Sequence, residues 1–182
     1  MKRILEIALF GIIWAGMAFA QGDEAIMVFS DLGALSCGFP DVGSLVQVYV
    51  FHVNSPGATA SEWMIETPGW TYLGNSSPFP FVIGTPPTGV SISYEACLTG
   101  KFKLMTINFL GSAAPNCSFI TIEPAPGNNG VRAVDCAEHS RIIGGGRGVV
   151  NPDYTCNTWS WCLPPIVPVE QTSWGQIKAL YK

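Results

Sequence analysis

The sequence predicts an all-β protein: a β-sandwich of about eight to ten antiparallel strands, stapled by disulfides and followed by a short C-terminal helix. Three observations support this fold class. Side chains alternate with a period of two along most of the chain, Gly- and Pro-rich segments separate the alternating stretches, and six cysteines follow an N-terminal export signal. Many short alternating stretches between turn signals are typical of sandwiches and barrels.

The N-terminus has the pattern of a cleavable secretory signal. Lys2 and Arg3 precede an uncharged apolar run at residues 7–17, and Ala18-Phe19-Ala20 has the small-x-small pattern of a cleavage site. The run is too short to span a bilayer, which takes roughly 20 apolar residues. We therefore predict a signal peptide at 1–20, a single domain at 21–182 without a membrane span, and an extracellular, cell-surface or periplasmic location.

Charge and size narrow the class of partner. Loss of residues 1–20 would leave seven basic and twelve acidic residues, a net charge near −5, with no run of like charge. Nucleic-acid binding needs a clustered basic surface, so this composition argues against it. A chain of this length is typical of one domain with its own core.

The predicted strands follow from the alternation. Residues 45–53 carry apolar or aromatic side chains on both sets of alternate positions, which is typical of a strand in the middle of a sandwich. Residues 59–67 and 90–96 alternate between polar and apolar, and residues 102–110 are rich in strand formers. Shorter candidate strands lie at residues 26–30, 70–73, 81–83, 117–122 and 131–136. Turn signals lie at residues 55–57, 68–69, 84–87 and 126–130.

All six cysteines lie in the predicted mature domain: Cys37, Cys97, Cys117, Cys136, Cys156 and Cys162. An even number of cysteines behind an export signal indicates disulfides, because the destination is oxidising. Zinc is the alternative, but it needs closely spaced ligands. Only the last two cysteines are close together, and the two histidines are remote in sequence, so we predict no metal site.

One disulfide is predicted from strand register. If residues 117–122 and 131–136 form a hairpin around residues 126–130, Cys117 lies directly opposite Cys136. Opposed Cβ atoms are about 4.5–5.5 Å apart, near the roughly 3.5–4.5 Å of a disulfide. The same register places four apolar residues on one face: Ile120, Ile122, Val131 and Ala133. The other two bridges follow only by elimination and are Cys156–Cys162 and Cys37–Cys97.

The end of the chain changes period. The residues that form one stripe of a helix over 173–182 are Trp174, Ile177, Leu180 and Tyr181. Ser173 and Gln176 have the spacing of a capping box. So short a helix is unstable alone in water, so we expect it to dock either on its own sandwich or on a partner.

Three segments resemble uncharacterised secreted β-domains encoded by uncultured bacteria. They are residues 26–70, with Cys37 and Ala60-Ser61-Glu62-Trp63, the segment from Cys117 to Val134-Asp135-Cys136, and the closing residues 172–181. The resemblance covers most of the predicted mature chain and implies a secreted β-domain, but it transfers no site residues. At fold level it implies a cohesin-like or immunoglobulin-like sandwich, and such folds host many functions.

The sequence contains no recognisable catalytic or cofactor motif. His52 shares a strand face with Val48 and Val50, which predicts a hydrogen-bonded histidine in the core or at a sheet edge, and His139 lies in a predicted loop. No Gly-x-Ser-x-Gly elbow is present to expose a serine nucleophile. We therefore predict a protein that is not an enzyme and has no cofactor. The alternative is a secreted hydrolase or enzyme inhibitor whose site would gather a histidine, a serine and a carboxylate from loops.

Aromatic pairs are the remaining candidate binding residues. Trp70 with Tyr72, and Trp159 with Trp161, each have i, i+2 spacing and would project from one face of an extended segment. Exposed aromatic faces are typical of contact sites, although such residues are also common in cores. The leading hypothesis is a secreted, non-enzymatic extracellular or cell-surface binding or structural module with an unknown protein or glycan partner. Glycan binding through Trp159 and Trp161 is a second alternative.

Overall fold

The computed structural model describes residues 23–153 and residue 156. Within these residues the chain forms ten strands, which are β1 (Ala25–Phe29), β2 (Gly38–Phe39), β3 (Leu45–Glu66), β4 (Thr71–Ser76), β5 (Phe81–Thr85), β6 (Gly89–Leu110), β7 (Ser118–Glu123), β8 (Val131–Val134), β9 (Ser140–Gly145) and β10 (Arg147–Val150). One 3₁₀ turn, Pro86–Thr88, joins β5 to β6, and the described part has no α-helix. The all-β prediction is confirmed. The predicted signal peptide and C-terminal helix lie outside the described residues.

The strands form two sheets that share one core. The larger sheet contains β1, β3, β4, β5, β6, β8 and β9, and the smaller one contains β2, β10, β7 and the end of β3. Phe39 from β2 and Ile120 from β7 belong to the same buried cluster as Val48 from β3 and Ile107 from β6. Apolar side chains from both sheets therefore fill one interior, as in a β-sandwich. Between residues 23 and 153, no helix is long and apolar enough to cross a membrane.

Two long strands replace four predicted ones. The chain does not turn at residues 55–57, and β3 and β6 each run for 22 residues and pair along most of their length. Register shifts interrupt the pairing between Val50 and Ala60. They change which alternate residues of β3 face the core, from Val48 and Val50 before the shifts to Trp63 and Ile65 after them. An extra residue in one strand has this effect on a side-chain pattern of period two.

The predicted hairpin between residues 117–122 and 131–136 is wrong. β7 pairs with β10 and with the end of β3, whereas β8 pairs with β3 and β9. The two strands therefore pair with different segments of β3 in different sheets, and residues 126–130 belong to a crossover between the sheets. The apolar residues predicted to share a face are nevertheless all in the core: Ile120, Ile122, Val131 and Ala133.

The disulfide pairing differs from the prediction for the same reason. Cys97 bridges to Cys136, and Cys117 bridges to Cys156, with Cα–Cα distances of 5.4 and 5.3 Å. The predicted Cys117–Cys136 bridge is therefore wrong. The Cys156–Cys162 and Cys37–Cys97 bridges are wrong as well, because one cysteine of each has another partner. Disulfides themselves are confirmed.

Candidate functional site

The solvent-facing side of the larger sheet carries a trough with a volume of about 330 Å³. It lies across five neighbouring strands in the order β5, β6, β3, β8 and β9. Directly opposed residues form two rows across these strands. The first row is Ile83, Ser91, Glu62, Arg132 and Ile142, and the second is Phe81, Ser93, Ala60, Val134 and Ser140.

The shape of the trough follows from the sizes of these side chains. Its middle is formed by small residues, Ser91 and Ser93 on β6 and Ala60 on β3. At the β5 edge, Phe81 and Ile83 are 61% and 77% exposed. Large apolar side chains beside a floor of small ones make a concave surface whose wall is apolar, and exposed apolar patches on protein surfaces are typical of contact sites.

The trough also contains two opposite charges that do not pair with each other. Glu62 on β3 and Arg132 on β8 are directly opposed, yet neither is in an ion pair with any described residue. The Arg132 guanidinium instead donates to two neutral groups. Its Nη1 lies 3.3 Å from the Ser140 hydroxyl, and its Nη2 lies 3.1 Å from the Asn129 side-chain carbonyl.

His52 belongs to a buried cluster rather than to a site. Its exposure is 0%, its Nε2 lies 2.8 Å from Oε1 of Glu24, and its Nδ1 lies 3.2 Å from the Tyr94 hydroxyl. Arg141 donates two further hydrogen bonds of 2.7 Å to the Glu24 carboxylate. The predicted hydrogen-bonded His52 is confirmed and lies in the core, and a side chain without exposed surface has no direct access to a substrate.

The same cluster shifts the pKa of Glu24 and of Tyr94. Burial alone would raise the pKa of Glu24, but the hydrogen bonds from His52 and Arg141 and the positive charge of Arg141 outweigh it and hold that pKa below its usual value. Burial raises the pKa of the Tyr94 hydroxyl. Glu24 is therefore an ionised anchor that ties the start of β1 to β3 and β9.

His139 is exposed and stands in the β8–β9 turn. Its Nδ1 lies 3.5 Å from Oδ2 of Asp135. The Asp135 carboxylate also accepts hydrogen bonds from the backbone N–H groups of Ala137 and His139, and the bond from His139 is the main reason that its pKa is lowered. These contacts shape a turn. Neither histidine lines the trough, so the trough does not gather the histidine, serine and carboxylate expected of a hydrolase site.

Trp70 is a core residue. Its ring is 6% exposed, packs against Phe39 and Phe109, and donates a 2.7 Å hydrogen bond from Nε1 to Asp41. Trp70 is therefore not a binding residue as predicted, because its buried ring offers no face to a ligand. Tyr72 packs against the same Phe109 ring and is half-buried, so the i, i+2 pair does share one face. Trp159 and Trp161 lie outside the described residues and remain predictions.

Asp41 is held in a second, structural cluster. Besides Trp70, its carboxylate accepts hydrogen bonds from four backbone N–H groups, those of Gly43, Ser112, Ala113 and Ala114. Burial opposes ionisation, but these donors lower the pKa of Asp41 to about 2. A cavity of about 510 Å³ lies beside it, lined by residues that include Pro40, Asn116 and Asn151. The carboxylate already has five donors, so it anchors three loops.

One group of side chains has the composition of a metal site. Ligand atoms of Cys117, Asp153 and Cys156 lie within 4.8 Å of one another. The two sulfurs are joined in a disulfide, and a metal-binding cysteine must supply a thiolate. This group is therefore a bridge with a neighbouring carboxylate.

The trough was not found from the sequence. Alternation does place Ser91, Ser93 and Glu62 on a solvent face, so the polar residues of the trough could be predicted from the sequence. The exposed positions of Phe81 and Ile83 depend on β5 being the neighbour of β6 at the edge of the sheet. No local pattern contains that information.

Fold and site together define a disulfide-stapled β-sandwich with an apolar, open sheet face. No protein-family model and no curated protein matches the chain. Solved structures with a similar fold include a non-cellulosomal cohesin from the archaeon Archaeoglobus fulgidus, with 14% identity, 71% of this chain and 91% of that chain covered, and a TM-score of 0.49. A cohesin module of a Clostridium perfringens family 33 glycoside hydrolase has 10% identity, coverage of 72% and 99%, and a TM-score of 0.48. The cohesin–dockerin complex of Clostridium thermocellum gives 12% identity, 72% and 100% coverage, and a TM-score of 0.48. These values assign the chain to no family.

Proposed function

We propose that the chain is an exported, non-enzymatic module that binds a protein partner through the trough. The observation that carries this proposal is the pair Phe81 and Ile83, which stand exposed beside a floor of small residues on a five-stranded face. Burying a side chain of this kind stabilises a complex by about 1.5–3 kcal/mol. A partner that covers both would therefore gain substantial free energy from two residues.

The composition of the trough favours a protein over a glycan. Sugar rings are recognised by flat aromatic faces, and Phe81 supplies the one aromatic ring among the described residues that line the trough. Its other apolar side chains that are not buried in the core are the branched aliphatic Ile83 and Val134. Such side chains pack well against the apolar side chains of another protein, whose interfaces have an apolar centre and a polar rim.

Export is supported by two independent features of the chain. Residues 1–20 have the pattern of a cleavable signal, and two disulfides staple the described domain. Disulfides of this structural kind persist in oxidising compartments and are rare in the cytosol. We therefore place the module outside the cytoplasm, in the periplasm, on the cell surface or in the medium.

The test is selection of binders followed by mutation of the trough. A random peptide library displayed on phage is panned against the protein of residues 21–182. Selected peptides should lose at least about tenfold in affinity for the double variant F81S/I83S, because about 1.4 kcal/mol corresponds to one decade.

The matched control is L35S, since Leu35 is 84% exposed and does not line the trough. L35S should bind the same peptides as the wild type, and melting curves should show that all three proteins are folded. If no selected peptide distinguishes F81S/I83S from L35S, the trough is not a binding site and the proposal is overturned.

A further inference from the structure

Two arginines on neighbouring strands differ in what their guanidinium groups contact. Arg141 on β9 donates to the Glu24 carboxylate, whereas the acceptors of Arg132 on β8 within the described part of the chain are the neutral oxygens of Ser140 and Asn129. A guanidinium has five N–H donors, so one N–H on each terminal nitrogen of Arg132 stays available. This positive charge stands in the trough without a carboxylate partner among the described residues.

The two neutral contacts also hold the guanidinium in place. Ser140 lies on β9 and Asn129 precedes β8, so the side chain is fixed between two elements. A side chain that is already ordered loses less conformational entropy when a ligand binds. An arginine held in this way is suited to a carboxylate, whose two oxygens match its planar fork.

Unused donors add a second observation. Arg132 Nε and Asn128 Nδ2 are both buried without an acceptor among the described residues, and both residues line the trough. Buried donors without acceptors are unfavourable, so this end of the trough would gain free energy if these side chains turned toward an acceptor supplied by another molecule. The donors and the positive charge together indicate an anionic group.

Glu62 sets where that anionic group sits. Its carboxylate is one strand from Arg132, a spacing of about 4.7–4.9 Å, and it is in no ion pair with a described residue. A second carboxylate is repelled from Glu62 and drawn toward the β8–β9 side. A basic group is favoured beside Glu62 for the same reason.

We propose that the protein partner inserts an acidic side chain against Arg132 and places a basic side chain about one strand spacing away, against Glu62. This inference rests on the proposed function of the trough and names the chemistry of its partner. Charge complementarity of this kind selects partners and orients them more than it strengthens binding. The apolar wall at Phe81 and Ile83 supplies affinity, and the charged pair supplies specificity.

The experiment uses the phage-displayed peptide library with charge variants of the trough. Peptides that need Phe81 and Ile83 should contain Asp or Glu, and R132Q should weaken them roughly ten- to a hundredfold. Panning against R132E should enrich Lys or Arg at the same peptide position. K101E makes the same charge change outside the trough and should bind the wild-type peptides normally.

Two further variants guard against misfolding. R132K keeps the charge and loses the planar fork, so it should bind with intermediate affinity. E62Q should weaken only peptides that carry a basic residue. If peptides that depend on Phe81 and Ile83 lack an acidic residue and tolerate R132Q, this inference is overturned and the proposed function stands. If no peptide depends on Phe81 and Ile83, both are overturned.

Discussion

Two arginines on the β8–β9 hairpin, Arg132 and Arg141, have different environments. Arg132 and Arg141 lie in register with neighbouring positions, since Arg132 opposes Ile142 and Ala133 opposes Arg141. Successive strand residues point to opposite faces, so Arg132 faces the trough and Arg141 faces the Glu24 cluster. Arg141 is bound by groups of the fold, whereas Arg132 is the arginine that the proposed function assigns to a partner. The residue type is the same, and the side of the sheet decides its role.

The largest effect that would test this comparison is the loss of Arg141. R141Q leaves Glu24 with His52 alone, and losing the hydrogen bonds of a partly buried ion pair destabilises by about 1.5–3 kcal/mol. Urea unfolding of R141Q should show this loss, whereas R132Q should stay within about 0.5 kcal/mol of the wild type. Equal losses of unfolding free energy in R141Q and R132Q would contradict the assignment of Arg141, and not Arg132, to the stability of the fold.

A smaller change in folding stability is expected when the pH is lowered. The folded-state pKa of Glu24 is held below its ordinary value of 4.5, so the ionised form stabilises the fold. The stability advantage of the wild type over E24Q should be complete above pH 4.5 and should disappear as the pH falls through the lowered pKa. Asp41 and Asp135 titrate in both proteins and cancel in this difference. An advantage that grows on acidification would contradict the assignment.

The smallest effect concerns the trough and salt. Raising the salt from about 0.01 M to about 1 M shortens the Debye length from about 30 Å to about 3 Å. Affinity of the selected peptides for the wild type should fall modestly over this range, because the contacts at Arg132 and Glu62 are partly exposed. Isothermal titration should show that the peptide affinity of R132Q depends less on salt than that of the wild type. Equal salt dependence in both proteins would contradict a role of the Arg132 charge in recognition.

Local patterns predicted the all-β class and much of the core correctly. Val48, Val50 and His52 share the buried side of one strand, as the alternation indicates. The register of the predicted hairpin was wrong, because the chain that follows β7 crosses to the other sheet instead of returning beside it. Alternation reports whether a residue is buried, and it does not report which strand lies next to it. The predicted Cys117–Cys136 disulfide depended on that register and is wrong for the same reason. The other two predicted disulfides followed from it by elimination and are wrong as well.

The amino-acid sequence alone determined the class of the fold, the presence of disulfides and the burial of the apolar strands, because each depends on neighbouring residues in the chain. Tertiary structure decided the order of the strands, the partners of the cysteines and the existence of the trough. Ile83 and Ile142 come to lie in one row through hydrogen bonds between five strands. Contacts of that kind depend on how the whole chain packs, which no single segment encodes.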